Sequence, residues 1–344
     1  MSQNNSCCTE SACCCSDTSK YAVSAASTTL SYKDYLGACK ARFGFGRMDY
    51  TIEPGLYSVG EPDESSPVLV SANYKLTFDT LRKNLSELAC WLLILDTKGV
   101  NVWCAAGKGT FGTDELVARI EQTGLSEIVT HRRLILPQLG APGINANEVA
   151  RRSDFSVVYG PVRASDIEQF IADGYKASRT MRTVKFTTWD RIVLTPMEIV
   201  YFAKYSLFFF GILFIINLFA ARPFDVRDFV IFIGAVFTGS VLTPVLLPII
   251  PGKLFSWKGW LAGMIWTVFT LWGFGWFSQD FRLLAIGYLL LLPSMSAFFA
   301  MNFTGASTYT SPSGVAKEMA LSLPPIIVSS IVGVVLVLIK TITG

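Results

Sequence analysis

Charge is scarce in this sequence of 344 residues: 16% of positions are charged, the formal balance is +3, and no run of lysine or arginine concentrates it. Without a basic block there is no electrostatic pull toward a nucleic-acid backbone, so nucleic acid is set aside as a partner. The opening residues, MSQNNSCCTESACCCSDTSK, lack the apolar core a secretory leader needs. The N-terminal domain is therefore expected on the cytoplasmic side, with its thiols reduced. In that setting the eight cysteines point to thiolate chemistry or metal binding rather than disulfides. What the chain has in quantity is apolar side chains, 51% of all residues, with the excess after about Tyr201. This predicts a soluble domain joined to a membrane domain.

Residues 1–28 are Ser, Thr, Ala and Cys with little bulk, too little to offset chain entropy, and are expected to form a disordered, cysteine-rich tail. Residues 29–190 have a globular pattern. The runs Trp91–Leu95, Leu134–Pro137 and Phe155–Gly160 have the character of buried strands, each followed by a loop rich in Gly or Pro. Thr113–Gly124 and Ala164–Gly174 carry helix grammar, with a Thr cap expected for the first, acids in the opening turn and Gly at the end. Strand, loop and helix in rotation predict an α/β, Rossmann-like domain with a parallel sheet. Its ligand is expected beyond the carboxyl ends of the strands, where the loops around 99–109, 138–143 and 160–165 fall. A linker over 191–204 leads to an all-α transmembrane domain over 205–340. Five apolar segments, at roughly 205–221, 229–250, 260–277, 283–301 and 323–339, each approach the ~20 residues that cross a bilayer. Lys253, Lys258 and Lys317 fall on one side and Arg222, Arg227 and Arg282 on the other, so orientation rests on the missing leader. The polar stretch Met301–Met319 is expected as a loop on the side of the soluble domain.

The most specific stretch is Asn101–Lys108, NVWCAAGK. A thiolate near a helix N-terminus is stabilised by unpaired backbone N–H groups, which suits Cys104 to metal ligation or nucleophilic attack. Ala105, Ala106 and Gly107 are small enough for a flat ring to approach, and Trp103 is placed to brace the turn. A lone cysteine in a fold is more often an inert buried thiol; the surrounding octet argues against that here. Two rival motifs are weaker. Gly107–Gly112 satisfies G-x-G-x-x-G, but Gln138 stands where a ribose-binding acid is expected. A phosphate loop fails because Val102 and Gly109 occupy positions that need Gly and Ser or Thr.

The octet is similar to the signature N-(V/I)-W-C-A-(A/G)-G-K of the membrane-anchored corrinoid proteins of microbial mercury methylation, the HgcA family. It matches at Asn101, Val102, Trp103, Cys104, Ala105, Ala106, Gly107 and Lys108. The resemblance continues through GTFGTDELVARI, LPQLGAPG and VVYGPVRA, and extends to the large subunit of the corrinoid iron–sulfur protein, which lacks the cysteine. It implies a cobalamin cofactor with Cys104 as lower axial cobalt ligand and the surrounding residues as a cap helix under the corrin. Corrin contacts are expected from Asn101 through Thr110, including Gly109, and, by loop position and likeness, from Gln138, Gly140, Gly143, Tyr159, Gly160 and Pro161. Ligation by histidine in a D-x-H-x-x-G motif is excluded, since His131, the one histidine, stands in THRRL.

The implied activity is a methyltransferase that passes a methyl group from methyl-Co(III) cobalamin to Hg(II), forming methylmercury. A methyl-folate is the implied donor, and a small ferredoxin with two [4Fe–4S] clusters, HgcB, the implied electron source. Cys7, Cys8, Cys13, Cys14 and Cys15 are either a capture site for Hg(II) or incidental to a tail. Two alternatives remain: a membrane-anchored corrinoid methyl carrier of one-carbon metabolism, and a non-catalytic metal-binding membrane protein.

Overall fold

The computed structural model describes residues 21–343. Cys7, Cys8, Cys13, Cys14 and Cys15 lie outside the described residues. The chain divides into an α/β unit, residues 21–37 and 48–183, and a helical unit, residues 38–47 and 184–343.

Six strands make one sheet in the α/β unit: β1 (Val23–Ala25), β2 (Gly55–Val59), β3 (Val68–Ala72), β4 (Cys90–Leu95), β5 (Arg133–Leu136) and β6 (Ser156–Tyr159), in the order β1-β2-β4-β3-β5-β6. All neighbours run parallel except β2 and β4. The expected parallel sheet is therefore present with one antiparallel pair. Strand β1 also lies inside the stretch assigned to the tail, so ordered structure begins before residue 28.

Strands β3 and β4 are apolar almost throughout because both of their faces are covered. Val68, Val70, Leu93 and Leu95 face one core with Val102, Phe111, Leu116 and Val149. Leu69, Leu92 and Ile94 face the other with Phe78, Leu81, Ile167 and Phe170. The first core thus receives α3 (Val102–Lys108), α4 (Thr113–Gln122), α5 (Leu125–Ile128) and α6 (Ala146–Ser153), and the second α2 (Lys75–Lys83) and α7 (Ile167–Ala172). The chain leaves β3 through α2 for β4, then returns past β3 to β5 through helices on the opposite face. Loops from the neighbouring strands β3 and β5 consequently part to opposite sides, which opens a crevice at their carboxyl ends.

Helix α4 starts one residue away from the expected cap. Gly112 is its N-cap, and Thr113 instead accepts the Asn145 N–H on its hydroxyl at 2.9 Å. A network of Asp34, Lys75, Asp79 and Arg82 links α2 to α1 (Tyr32–Arg42), with Lys75–Asp34 at 2.6 Å and Arg82–Asp79 at 2.8 Å. Burial opposes ionisation of Asp34, but hydrogen bonds from Lys75, Ser31 and Arg82 outweigh it and hold the carboxyl well below the usual range.

The helical unit contains α8 (Thr188–Ile192), α9 (Thr195–Asn217), α10 (Val226–Phe237), α11 (Thr243–Val245), α12 (Phe255–Gly273), α13 (Arg282–Asn302) and α14 (Pro312–Thr343). A π turn over Thr238–Leu242 joins α10 to α11. Among the described residues three stretches are long and apolar enough to cross a membrane: Val226–Val245, Gln279–Ala306 and Ser313–Thr343. Helices α9 and α12 occupy the other two expected segments. The expected linker over 191–204 is helical, in α8 and the start of α9, and the loop expected over 301–319 shortens because α14 begins at Pro312. Close packing depends on small residues: a Cβ on Gly259 would lie 2.5 Å from the Ser296 carbonyl, and one on Gly333 2.8 Å from that of Gly287.

Candidate functional site

Helix α3 shows why the octet has its composition. Asn101 is extended and its side-chain oxygen accepts the Cys104 N–H at 2.9 Å, which caps the helix. Gly109 ends it at φ +81°, a left-handed conformation that favours glycine. Between them Val102, Ala105 and Ala106 are buried at i, i+3 and i+4, so Trp103, Cys104, Gly107 and Lys108 form the exposed face.

This corrects one detail of the expected site. Ala105 and Ala106 pack inward, and the open space beside Cys104 comes from Gly107, around which an added Cβ meets nothing within 4 Å. Trp103 is 46% exposed, so it stands at the surface rather than bracing the turn from within.

The β5 loop, a 3-10 turn over Gln138–Gly143, packs directly on α3. A Cβ on Gly143 would lie 2.1 Å from the Phe111 carbonyl oxygen and 3.0 Å from Ala106 Cα, and one on Gly140 would lie 2.5 Å from the Phe111 ring. These two glycines let the turn reach α3, a packing role that loop position alone does not reveal. Tyr159, the last residue of β6, donates its hydroxyl to the Ile144 carbonyl at 3.0 Å, and burial raises its pKa. Gly160 and Pro161 are buried, and Gly160 lies against Ile135 and Phe170. The structure thus joins the octet, the 138–143 turn and Tyr159, while Gly160 and Pro161 support them from the interior.

Two side-chain atoms at this junction are buried without a hydrogen-bond partner: Thr110 Oγ1 and Gln138 Oε1. Leaving such a group unpaired costs roughly 1–3 kcal/mol, which a ligand with complementary donors recovers. An exposed thiol, an open glycine flank and two unsatisfied polar atoms suit a flat macrocycle fringed with amides.

Other residues hold the site that sequence patterns did not single out. Asn73, buried after β3, accepts the Thr97 N–H at 3.1 Å, the Thr97 hydroxyl at 2.9 Å and the Gly99 N–H at 3.2 Å. It thereby fixes the loop leading to Asn101. Glu115 on α4 accepts the Asp96 N–H at 2.8 Å and pairs with Arg119 at 2.7 Å. Lys98 hydrogen-bonds Asp96 and lowers the pKa of its carboxyl. A polar residue directly after an apolar strand was the available signal for Asn73. The other cysteines among the described residues are dissimilar: Cys39 is exposed, whereas Cys90 is buried with its thiol pushed up to about 12. His131 bonds the Ser66 carbonyl at 2.9 Å just before β5, at the opposite end of the sheet from Cys104.

The fold is a doubly wound α/β domain followed by a helical region with membrane-length apolar helices. Residues 46–170, which include all of these α/β site positions, match the family described as CdhD, the CO dehydrogenase/acetyl-CoA synthase delta subunit. The acetyl-CoA decarbonylase/synthase complex subunit gamma of Methanocaldococcus jannaschii is 33% identical over 131 residues, 38% of this chain and 26% of that protein. The corresponding subunit of Methanopyrus kandleri is 34% identical over 127 residues, 36% of this chain and 27% of that protein. Subunit gamma 2 of Methanosarcina thermophila is 40% identical over 99 residues, 28% of this chain and 21% of that protein. The chain therefore spans about a quarter of the length of these relatives. The α/β unit is related to the large subunit of the corrinoid iron–sulfur protein.

Proposed function

We propose that the α/β unit holds a corrinoid with Cys104 Sγ as lower axial donor, and that the chain, anchored in the cytoplasmic membrane, methylates Hg(II). The observation that carries this is the exposed Cys104 on a capped turn beside two unpaired buried polar atoms. The relatives support the corrinoid part, and the octet supports mercury as acceptor. When bound, the corrinoid supplies a cobalt centre able to accept and release a methyl group.

The chain's own residues do the rest. Cys104 offers one donor, which would suit a metal whose other ligands come with its cofactor. Asn101 holds the Cys104 backbone, and so the position of its sulfur. Thr110 and Gln138 provide a hydroxyl and an acceptor oxygen for peripheral amides. A thiolate from Cys104 would donate electron density to a bound metal, which would suit methyl transfer to an electrophile such as Hg(II). A methyl-folate donor and a two-cluster ferredoxin complete the proposed cycle. Five crossings, with the α/β unit on the cytoplasmic side, complete the proposed arrangement. A second reading, a methyl carrier of one-carbon metabolism, is favoured by the relatives' membership of acetyl-CoA decarbonylase/synthase complexes.

Hydroxocobalamin added to the purified chain and to Cys104→Ser tests ligation: visible spectra should differ, and identical spectra would overturn it. An anaerobic assay with methyl-folate, ferredoxin and Hg(II) separates the two readings. Methylmercury formed by the wild type and lost in Cys104→Ala supports the first; methyl transfer without methylmercury supports the second.

A further inference from the structure

Within the helical unit, three lysines gather around one cavity: Lys253 in the loop before α12, Lys258 in α12 and Lys317 near the start of α14. Lys253, Lys258 and Lys317 line a space of about 440 Å³ together with Leu254, Tyr309 and Glu318. Glu318 is its one acid, and that carboxylate is buried and engaged: it accepts the Ser256 N–H at 2.7 Å in the first turn of α12. Lys258 donates to the Leu247 carbonyl. Lys253 and Lys317 are exposed and have no ion-pair partner among the described residues. Three lysines against one carboxylate leave the cavity with an excess of positive charge, and no ion pair among the described residues offsets it.

Beside it, sharing Leu254, runs a second and predominantly apolar groove of about 380 Å³ between α12, α13 and α14, lined by Trp257, Trp260, Ala297, Leu321, Pro325 and Ile326. Trp257 and Trp260 stack with centroids 5.4 Å apart, an arrangement suited to the bilayer interface. A cationic chamber beside an apolar groove along membrane-length helices matches the head and tail of one ligand.

We propose that these two spaces together bind one anionic phospholipid, its phosphate between Lys253 and Lys317 and an acyl chain along the groove. Basic pockets between membrane helices recognise such headgroups by charge, and flanking aromatic rings accept the chain. The inference rests on the helical unit being embedded in a bilayer, which carbonate extraction of membranes containing each variant checks separately.

The test is native mass spectrometry of the full chain in neutral detergent, with phosphatidylglycerol, phosphatidylcholine or inorganic phosphate added. The wild type should retain phosphatidylglycerol in preference to phosphatidylcholine, and Lys253→Gln with Lys317→Gln should reduce that preference roughly tenfold. Lys340→Gln, in the last turn of α14 at the other end of the helices, should leave it unchanged. Equal retention of both lipids by the wild type overturns the proposal, as does an equal loss in Lys340→Gln. Retention of inorganic phosphate without lipid selectivity would make the chamber a free-anion site. Thermal melting of the double variant confirms that the fold is retained, since both side chains lie at the surface.

Discussion

Asn101→Ala isolates the contribution of the cap to the placement of Cys104. The side-chain oxygen of Asn101 satisfies the N–H of Cys104 itself, at 2.9 Å, so its removal acts on the backbone that carries the thiol. Losing such a cap costs about 1 kcal/mol. Helix α3 has seven residues and is held to the core through Val102, Ala105 and Ala106. The cost therefore falls on local opening of this turn more than on global unfolding, and about 1 kcal/mol multiplies the open population about fivefold. Two measurements follow. Amide exchange at Cys104 should accelerate about fivefold in Asn101→Ala, with little change in β3 and β4. Affinity for hydroxocobalamin, read from the visible spectrum, should fall by at most the same factor of about five, the full factor being reached only if the turn is mostly open before the cofactor binds. Asn101→Asp, which keeps an acceptor at the cap, should restore both. Unchanged exchange and affinity in Asn101→Ala would show that the cap does not position the thiol. Loss of exchange protection across the whole sheet would show that α3 is not an independently opening element.

Gly143→Ala drives a Cβ to 2.1 Å from the Phe111 carbonyl and should cost more than ~3 kcal/mol, seen as a large drop in the melting temperature of the α/β unit. Gly107→Ala, where the added carbon meets nothing, should leave melting nearly unchanged while weakening hydroxocobalamin binding. Alkylation at pH 8 should label Cys39 and Cys104 in the folded chain and spare Cys90, which burial keeps as a neutral thiol up to about 12; mapping of labelled peptides reads this directly. Because the folded carboxyl of Asp34 titrates below its unfolded value, its stabilising contribution is present above the usual carboxylate range and lost as pH falls through the folded value. Acid unfolding of the α/β unit should therefore become shallower in Asp34→Asn, which is less stable at neutral pH; an unchanged profile would show that the network with Lys75 and Arg82 carries no net stabilisation.

The parts of the fold legible in the sequence were those with a strong local signature. The runs at β4, β5 and β6 are unbroken apolar segments followed by Gly or Pro, and each is a strand. Strand β1 was hidden because VSA is a three-residue edge strand in a polar context, held by pairing with β2 rather than by its own composition. The antiparallel placement of β2 was equally out of reach, since strand direction depends on which neighbour it meets. At the site, the octet indicated a cysteine near a helix N-terminus, but the Asn101 cap and the inward direction of Ala105 and Ala106 required the helical phase. The packing role of Gly140 and Gly143 required the position of Phe111, thirty residues away in sequence.

That packing separates two questions that a single activity assay merges. The features placing the turn against α3, namely Gly140, Gly143, Phe111 and Ala106, lie within residues 46–170, the segment that matches the CdhD family. They build a crevice, and a variant that disturbs them should lose cofactor and fold together. Cys104 contributes nothing to that packing because its side chain is exposed. Cys104→Ala should therefore keep the melting temperature and the corrinoid content of the α/β unit while altering the cofactor's spectrum and its transfer to Hg(II). A thiol variant that lost corrinoid altogether would mean that the sulfur anchors the cofactor rather than tuning it, and the proposed division between crevice and ligand would fail.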